Sequence, residues 1–191
     1  MPIGGIRART VKCVSALADA QVMDVLPSPH RPGDDERTGR TAPLNAAEQV
    51  WAAQHRELVS ELCDGDVDEW TVGHLFDRVH ATWLASDEQP DPSPLVHAFG
   101  VALGDLVVRD VPGLAWVSYR DEDDEVALAL SRVGNPLVVF PIASVDEHWG
   151  VADDGWFTGH VHAVVDETLR QLRLASGRAS AGSEEGVDGW L

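Results

Sequence analysis

The segment "DVPG", residues 110–113, divides the chain by the period of its apolar residues, and that change limits the fold more than any other feature. Before it, large apolar residues recur every three or four positions, the spacing that gathers them on one side of a helix. After it they alternate or bunch over five or six residues, as strands do. Upstream, Val50, Trp51, Leu58 and Leu62 predict a helix near 46–62, opened by Asn45 and Glu48 as a capping box. A second helix is expected from Thr71 to about residue 85 on Val72, Leu75, Phe76, Val79 and Trp83, with Trp70 and Leu75 as a hydrophobic staple. A third opens at Ser93 as cap, with Pro94 in the first helical position, and carries Leu95, Phe99, Ala102, Leu103 and Leu106.

Downstream, "LAWVSY" (114–119), "VALAL" (126–130) and "PLVVFP" (136–141) read as strands. The links "RDEDDE" and "SRVGN" are short enough for antiparallel hairpins, which predicts a three-stranded meander. Ser144 and Glu147 repeat the capping pattern before a short helix, and Phe157, Val161, Val164, Leu169 and Leu172 predict a final helix over 156–174. The expected fold class is therefore α+β: N-terminal helices, a three-stranded antiparallel meander, and C-terminal helices packed on one face.

Four prolines and two glycines among many charges make residues 27–43 too poor in apolar surface for a core, so 1–43 is expected to be a flexible N-terminal arm. Within it, residues 1–26 read either as a loose helix or as sequence ahead of a start at Met23. The single α+β domain is placed at 44–175 and a disordered tail, ending in the apolar pair Trp190 and Leu191, at 176–191. Arg7, Arg9 and Lys12 precede an apolar run, but Asp19 interrupts it, which argues against export. With no apolar window long enough to span a bilayer, the expected compartment is the cytoplasm and no membrane partner is expected. Cys13 and Cys63 are too few for a disulfide framework.

Charge narrows the partners. Thirty-two acidic residues against fourteen basic ones leave −18 over 191 residues, which argues against nucleic acid, because binding phosphate takes clustered Lys and Arg. The same field would draw in a basic protein partner.

Gly100 and Gly104 pose the question of a nucleotide. A phosphate-binding loop needs a longer glycine spacing followed by Lys and Ser or Thr after a strand, whereas Asp105 follows Gly104 and Pro94 has already opened a helix. Four residues apart, the two glycines share one helix side, and their missing side chains let a neighbour approach. A packing role is expected. The runs "LVHAFGVALGDLVV", "GLAWVSY", "VALAL" and "PLVVFPIASVDEHW" resemble the bacterial family catalogued as domain of unknown function 3806, over roughly residues 45–172. Gly100, Gly104, Asp105, Trp116 and Pro141 carry the likeness, which implies a fold and lends no catalytic residues.

The chemistry-bearing clusters are few. Asp64, Asp66 and Asp68 begin like a calcium loop, but Glu69 and Leu75 stand where its glycine and twelfth-position glutamate belong. Asp121, Glu122, Asp123, Asp124 and Glu125 crowd one hairpin turn, where their repulsion calls for water, a cation or a basic surface, and Trp116 lies on the strand before it. These six residues are the expected binding site. On the last helix His162 and Asp166 share a face while His160 points elsewhere, so at most two metal ligands converge. Neither a nucleophile elbow nor an activated cysteine is present. The chain is thus expected to be a non-catalytic protein-binding module, adaptor or immunity-like, with no cofactor; the alternative is a metal-dependent hydrolase using His162, Asp166 and other converging His and Asp/Glu residues.

Overall fold

The computed structural model describes residues 39–63, 66–135 and 137–181. Of the sequence expectations, the arm through residue 38, the tail from 182, and Asp64 lie outside the described residues. The fold class is α+β, with five helices and a four-stranded antiparallel sheet in the order β1-β2-β3-β4 among the described residues. The elements are β1 (Arg40–Pro43), α1 (Ala46–Leu62), α2 (Glu69–Leu84), α3 (Ser93–Asp110), β2 (Leu114–Arg120), β3 (Val126–Arg132), β4 (Val138–Val139), α4 (Pro141–His148) and α5 (Trp156–Ala181).

The fourth strand corrects the three-stranded meander. Arg40–Pro43, assigned from composition to the flexible arm, pairs with β2 so that Thr41 faces Tyr119 and Pro43 faces Val117. "RTAP" has no strand alternation and all four residues are exposed, so its place comes from backbone pairing along an edge, where proline's missing N–H is tolerated.

Helix α3 is the centre of the core, with Phe99, Leu103 and Val107 buried along it. It packs on α1, α2, α4, α5 and β2. Phe76 of α2 meets Phe99 edge-on at 5.1 Å between ring centroids, and Phe157 of α5 lies 5.4 Å from Phe76. Such aromatic contacts add roughly 1 kcal/mol each to the burial of the rings.

Helix starts follow local hydrogen bonding. The capping box of α1 forms as expected: Glu48 N–H donates to Asn45 Oδ1 at 3.0 Å and Asn45 N–H to Glu48 Oε2 at 2.8 Å. Glu48 also accepts from Ser118 Oγ at 3.0 Å, tying the start of α1 to β2. Elsewhere the expected caps are displaced. Asp68 caps α2 by accepting from Thr71 N–H at 2.8 Å, so the helix begins at Glu69 and Trp70 faces outward, 70% exposed, with no staple. Pro92 caps α3, while Ser93 gives both its N–H and its hydroxyl to Asp91. Helix α4 begins at Pro141, whose fixed φ suits the first turn, and Ser144 therefore sits inside the helix instead of capping it. Along α1 the inward residues are Ala52 and Val59, whereas Val50 and Leu62 are exposed. Helix α5 runs past the expected end at 174 to Ala181, through residues that include the strong helix formers Ala and Arg.

Candidate functional site

The two glycines of α3 set up the site. A Cβ on Gly100 would lie 2.6 Å from Ile142 Cα, so only glycine lets the backbone of α4 rest on α3. One turn on, a Cβ on Gly104 would run into the ring of Trp116. Both glycines are buried, and the packing role expected for them holds.

With α4 pressed onto α3, a cleft of about 360 Å³ opens between α4 and α5, floored by Leu103 of α3 and Val139 of β4. Helix α5 contributes His160, Val164, Glu167 and Gln171, which are spaced four, three and four residues apart and so share one face. From α4 come Ser144, Glu147 and His148. Most of the lining is apolar; Ser144, His148 and His160 make one end of it polar, while Glu167, Thr168 and Gln171 lie about two to three turns further along α5.

At that polar end Ser144 Oγ and His160 Nε2 are 2.5 Å apart. His148 Nδ1 lies 2.8 Å from the Ser144 carbonyl oxygen. Because that oxygen can only accept, Nδ1 carries the proton and Nε2 of a neutral His148 is left as an acceptor. The His160 ring stacks on Trp156 at 4.6 Å, and His148 stacks on the same indole at 4.9 Å. Burial, reinforced by nearby His148, pushes the His160 imidazole down to about 4, so it is neutral at pH 7. Glu167, held by Arg170 and Gln171, stays below the usual carboxylate range. Glu147 is exposed and has no ion-pair partner among the described residues.

The residues singled out from the sequence are distributed differently. In the turn, Asp121 faces inward along the backbone, its Oδ1 accepting from the N–H groups of Asp123 and Glu125 at 2.9 Å each. Asp124 adopts φ 61° and lies 3.6 Å from the Arg120 guanidinium. Glu122, Asp123 and Glu125 are exposed. Trp116 is not brought to them. It is half-buried against Gly104, with its Nε1–H donated to Asp105 at 2.8 Å, and five residues of extended strand, about 16 Å, separate it from the turn. His162 is 2.8 Å from Glu69, and Asp166 joins neither. Among the described residues no three His, Cys, Asp or Glu side chains group to hold a metal ion. His160 does point away from His162 and Asp166, as its spacing implied, and the place it points to is the cleft. Its partner Ser144 lies sixteen residues earlier on another helix, a distance across which no periodicity speaks.

Residues 74–158 match the family model described as Domain of unknown function (DUF3806). These 85 of the 191 residues are similar to that family. The DUF3806 segment runs from α2 through the first turn of α5, a shorter span than the resemblance in the sequence suggested. It holds Gly100, Gly104, Asp105, Trp116, Ser144 and His148, while His160 and the rest of the α5 wall lie just beyond it. No curated protein matches the chain. A solved structure of a protein from Bacteroides thetaiotaomicron VPI-5482 is similar in fold, with a TM-score of 0.54 at 14% identity over 73% of this chain and 52% of that one. The chain thus spans about half the length of that protein, and the likeness concerns the fold alone. Among the described residues no helix is long and apolar enough to cross a membrane.

Proposed function

We propose that this protein is a non-catalytic binding module whose ligand seat is the cleft between α4 and α5. The Ser144–His160 contact carries the reading, because it has the look of a nucleophile and its base but not the chemistry. A general base works best with a pKa near the operating pH, and an imidazole at about 4 draws a proton from serine poorly. Among the described residues the side chains in hydrogen-bond or ring contact with His160 are Ser144, His148 and Trp156, none of them a carboxylate that would orient the ring and raise its basicity. The pair instead fixes one wall of the cleft and presents a polar edge to whatever enters. Incubation with a fluorophosphonate probe tests this. Wild type and Ser144→Ala are expected to label equally weakly, whereas labelling at Ser144 that the substitution abolishes would make the protein a serine hydrolase.

A second surface supports a protein partner, in keeping with an adaptor or immunity-like role in the cytoplasm. Glu122, Asp123 and Glu125 stand exposed on the β2–β3 turn while Asp121 and Asp124 are engaged locally, so three carboxylates are left to meet a basic protein. The overall charge of −18 favours such a partner over nucleic acid. A specific partner should be released both by salt and by the triple change Glu122→Gln, Asp123→Asn, Glu125→Gln. Capture indifferent to both would exclude this surface.

A further inference from the structure

The polar end of the cleft is a set of acceptors without a cation of its own. Glu147 and His148 line it, and among the described residues no Lys or Arg lines the cleft. Further along α5 the other lining carboxylate, Glu167, is already held by Arg170, which donates through Nε and Nη2 to its two oxygens. His148, protonated at Nδ1 by its bond to the Ser144 carbonyl, offers a lone pair at Nε2 when neutral. Beside that end the lining is hydrocarbon from Leu103, Leu137, Val139 and Val164.

We infer that the cleft takes an amine borne on a hydrocarbon body, its ammonium lying against Glu147 and the acceptor edge of His148 and its body against Leu103, Val139 and Val164. This rests on the binding-module reading and adds the class of ligand. An ammonium brings three N–H donors and a positive charge to an end that has one carboxylate without an ion-pair partner among the described residues and a ring acceptor. A carboxylate or phosphate on the same body meets the opposite situation: Glu147 repels it, and the neutral His160 gives it no charge to pair with. The hydrocarbon body contributes affinity in proportion to the apolar area it buries, whatever the head. Head-group preference is therefore the property to measure.

The test uses the full chain at pH 7.5 and three probes with one body and different heads: hexylamine, 1-hexanol and hexanoate. Binding is read from amide chemical shifts of Leu103, Val139, Ser144, His148, Val164 and Gln171. Hexylamine is expected to bind at least tenfold more tightly than hexanoate and more tightly than hexanol. Glu147→Gln should erase most of the advantage of hexylamine over hexanol and leave hexanol itself unchanged. Because Glu147 is exposed, the variant folds as wild type does, and matching spectra away from the cleft verify this. If hexanol or hexanoate binds as well as hexylamine, the amine assignment is wrong while the cleft remains a ligand seat. If none of the three shifts the cleft resonances, the ligand seat itself is wrong.

Discussion

Trp116 donates its indole N–H to Asp105 Oδ1 at 2.8 Å, and the residue before that aspartate, Gly104, is the one over which the indole ring lies. Neighbours in sequence thus serve one side chain twice, by leaving room for the ring and by accepting its hydrogen bond. Arg56 of α1 grips the same carboxylate with Nε at 2.6 Å and Nη2 at 2.9 Å, so α1, α3 and β2 meet at Asp105. The Gly-Asp pair and the tryptophan that mark the family resemblance are one structural joint.

Substitution at Gly104 should therefore destabilise even though alanine favours helix. Alanine gains roughly 1 kcal/mol of helix propensity, but displacing the Trp116 ring costs about 1–3 kcal/mol, and overpacking is expected to win by about 1 kcal/mol. Gly159 provides the contrast: it lies in α5 with nothing within 4 Å of where a Cβ would stand, so Gly159→Ala should stabilise by about 0.5–1 kcal/mol. Urea midpoints of the two variants should move in opposite directions. Equal shifts would mean that Gly104 is not a packing glycine.

At Asp105 the two functions of the carboxylate separate by substitution. Asp105→Asn keeps an acceptor for the indole and loses only a largely exposed ion pair, for an expected change under about 1 kcal/mol. Asp105→Ala leaves the half-buried N–H of Trp116 without its partner and should cost about 1–3 kcal/mol. Should asparagine prove as damaging as alanine, the Arg56 pair and not the indole bond would be the important contact.

Stability should rise with pH between about 4 and the ordinary histidine range because of His160. Its folded value, about 4, lies below the unfolded one, so in that window the unfolded chain binds more protons and acid favours unfolding. The stability is fully present above the unfolded value and is lost as pH falls toward 4. One proton sets a ceiling of about 1.4 kcal/mol per pH unit, which solvent at the half-buried ring reduces. His97, lowered by burial and by His55, acts in the same direction. His160→Asn should flatten the thermal-denaturation profile across this window; an unchanged slope would assign the acid sensitivity elsewhere.

The five carboxylates of the β2–β3 turn should not behave alike. Asp121→Ala removes the acceptor for two backbone N–H groups and is expected to cost about 1 kcal/mol and speed amide exchange at Asp123 and Glu125. Glu122→Gln should alter neither, since that side chain projects into solvent. Hydrogen exchange followed by NMR separates the two outcomes, and identical protection in both variants would show that Asp121 is not the turn's organiser.

What was legible in the sequence is what neighbouring residues decide among themselves. The start of α1 followed from Asn45 and Glu48, because a capping box closes within four residues. The period change at residues 110–113 located β2 and β3, and the glycine spacing identified the flank of α3 on which α4 and Trp116 rest. Strand β1 was not legible, since an edge strand is held by backbone pairing with β2 and its four side chains carry no pattern. Trp70 was expected to staple the start of α2 against Leu75 and is exposed, because Asp68 starts the helix earlier and turns that position outward. The cleft was the least legible. Ser144 and His148 are one turn apart on α4, but His160 joins them only once Gly100 admits α4 and Phe157 anchors α5, and side chains on separate helices meet through packing, which depends on shape in three dimensions and leaves no period in the chain.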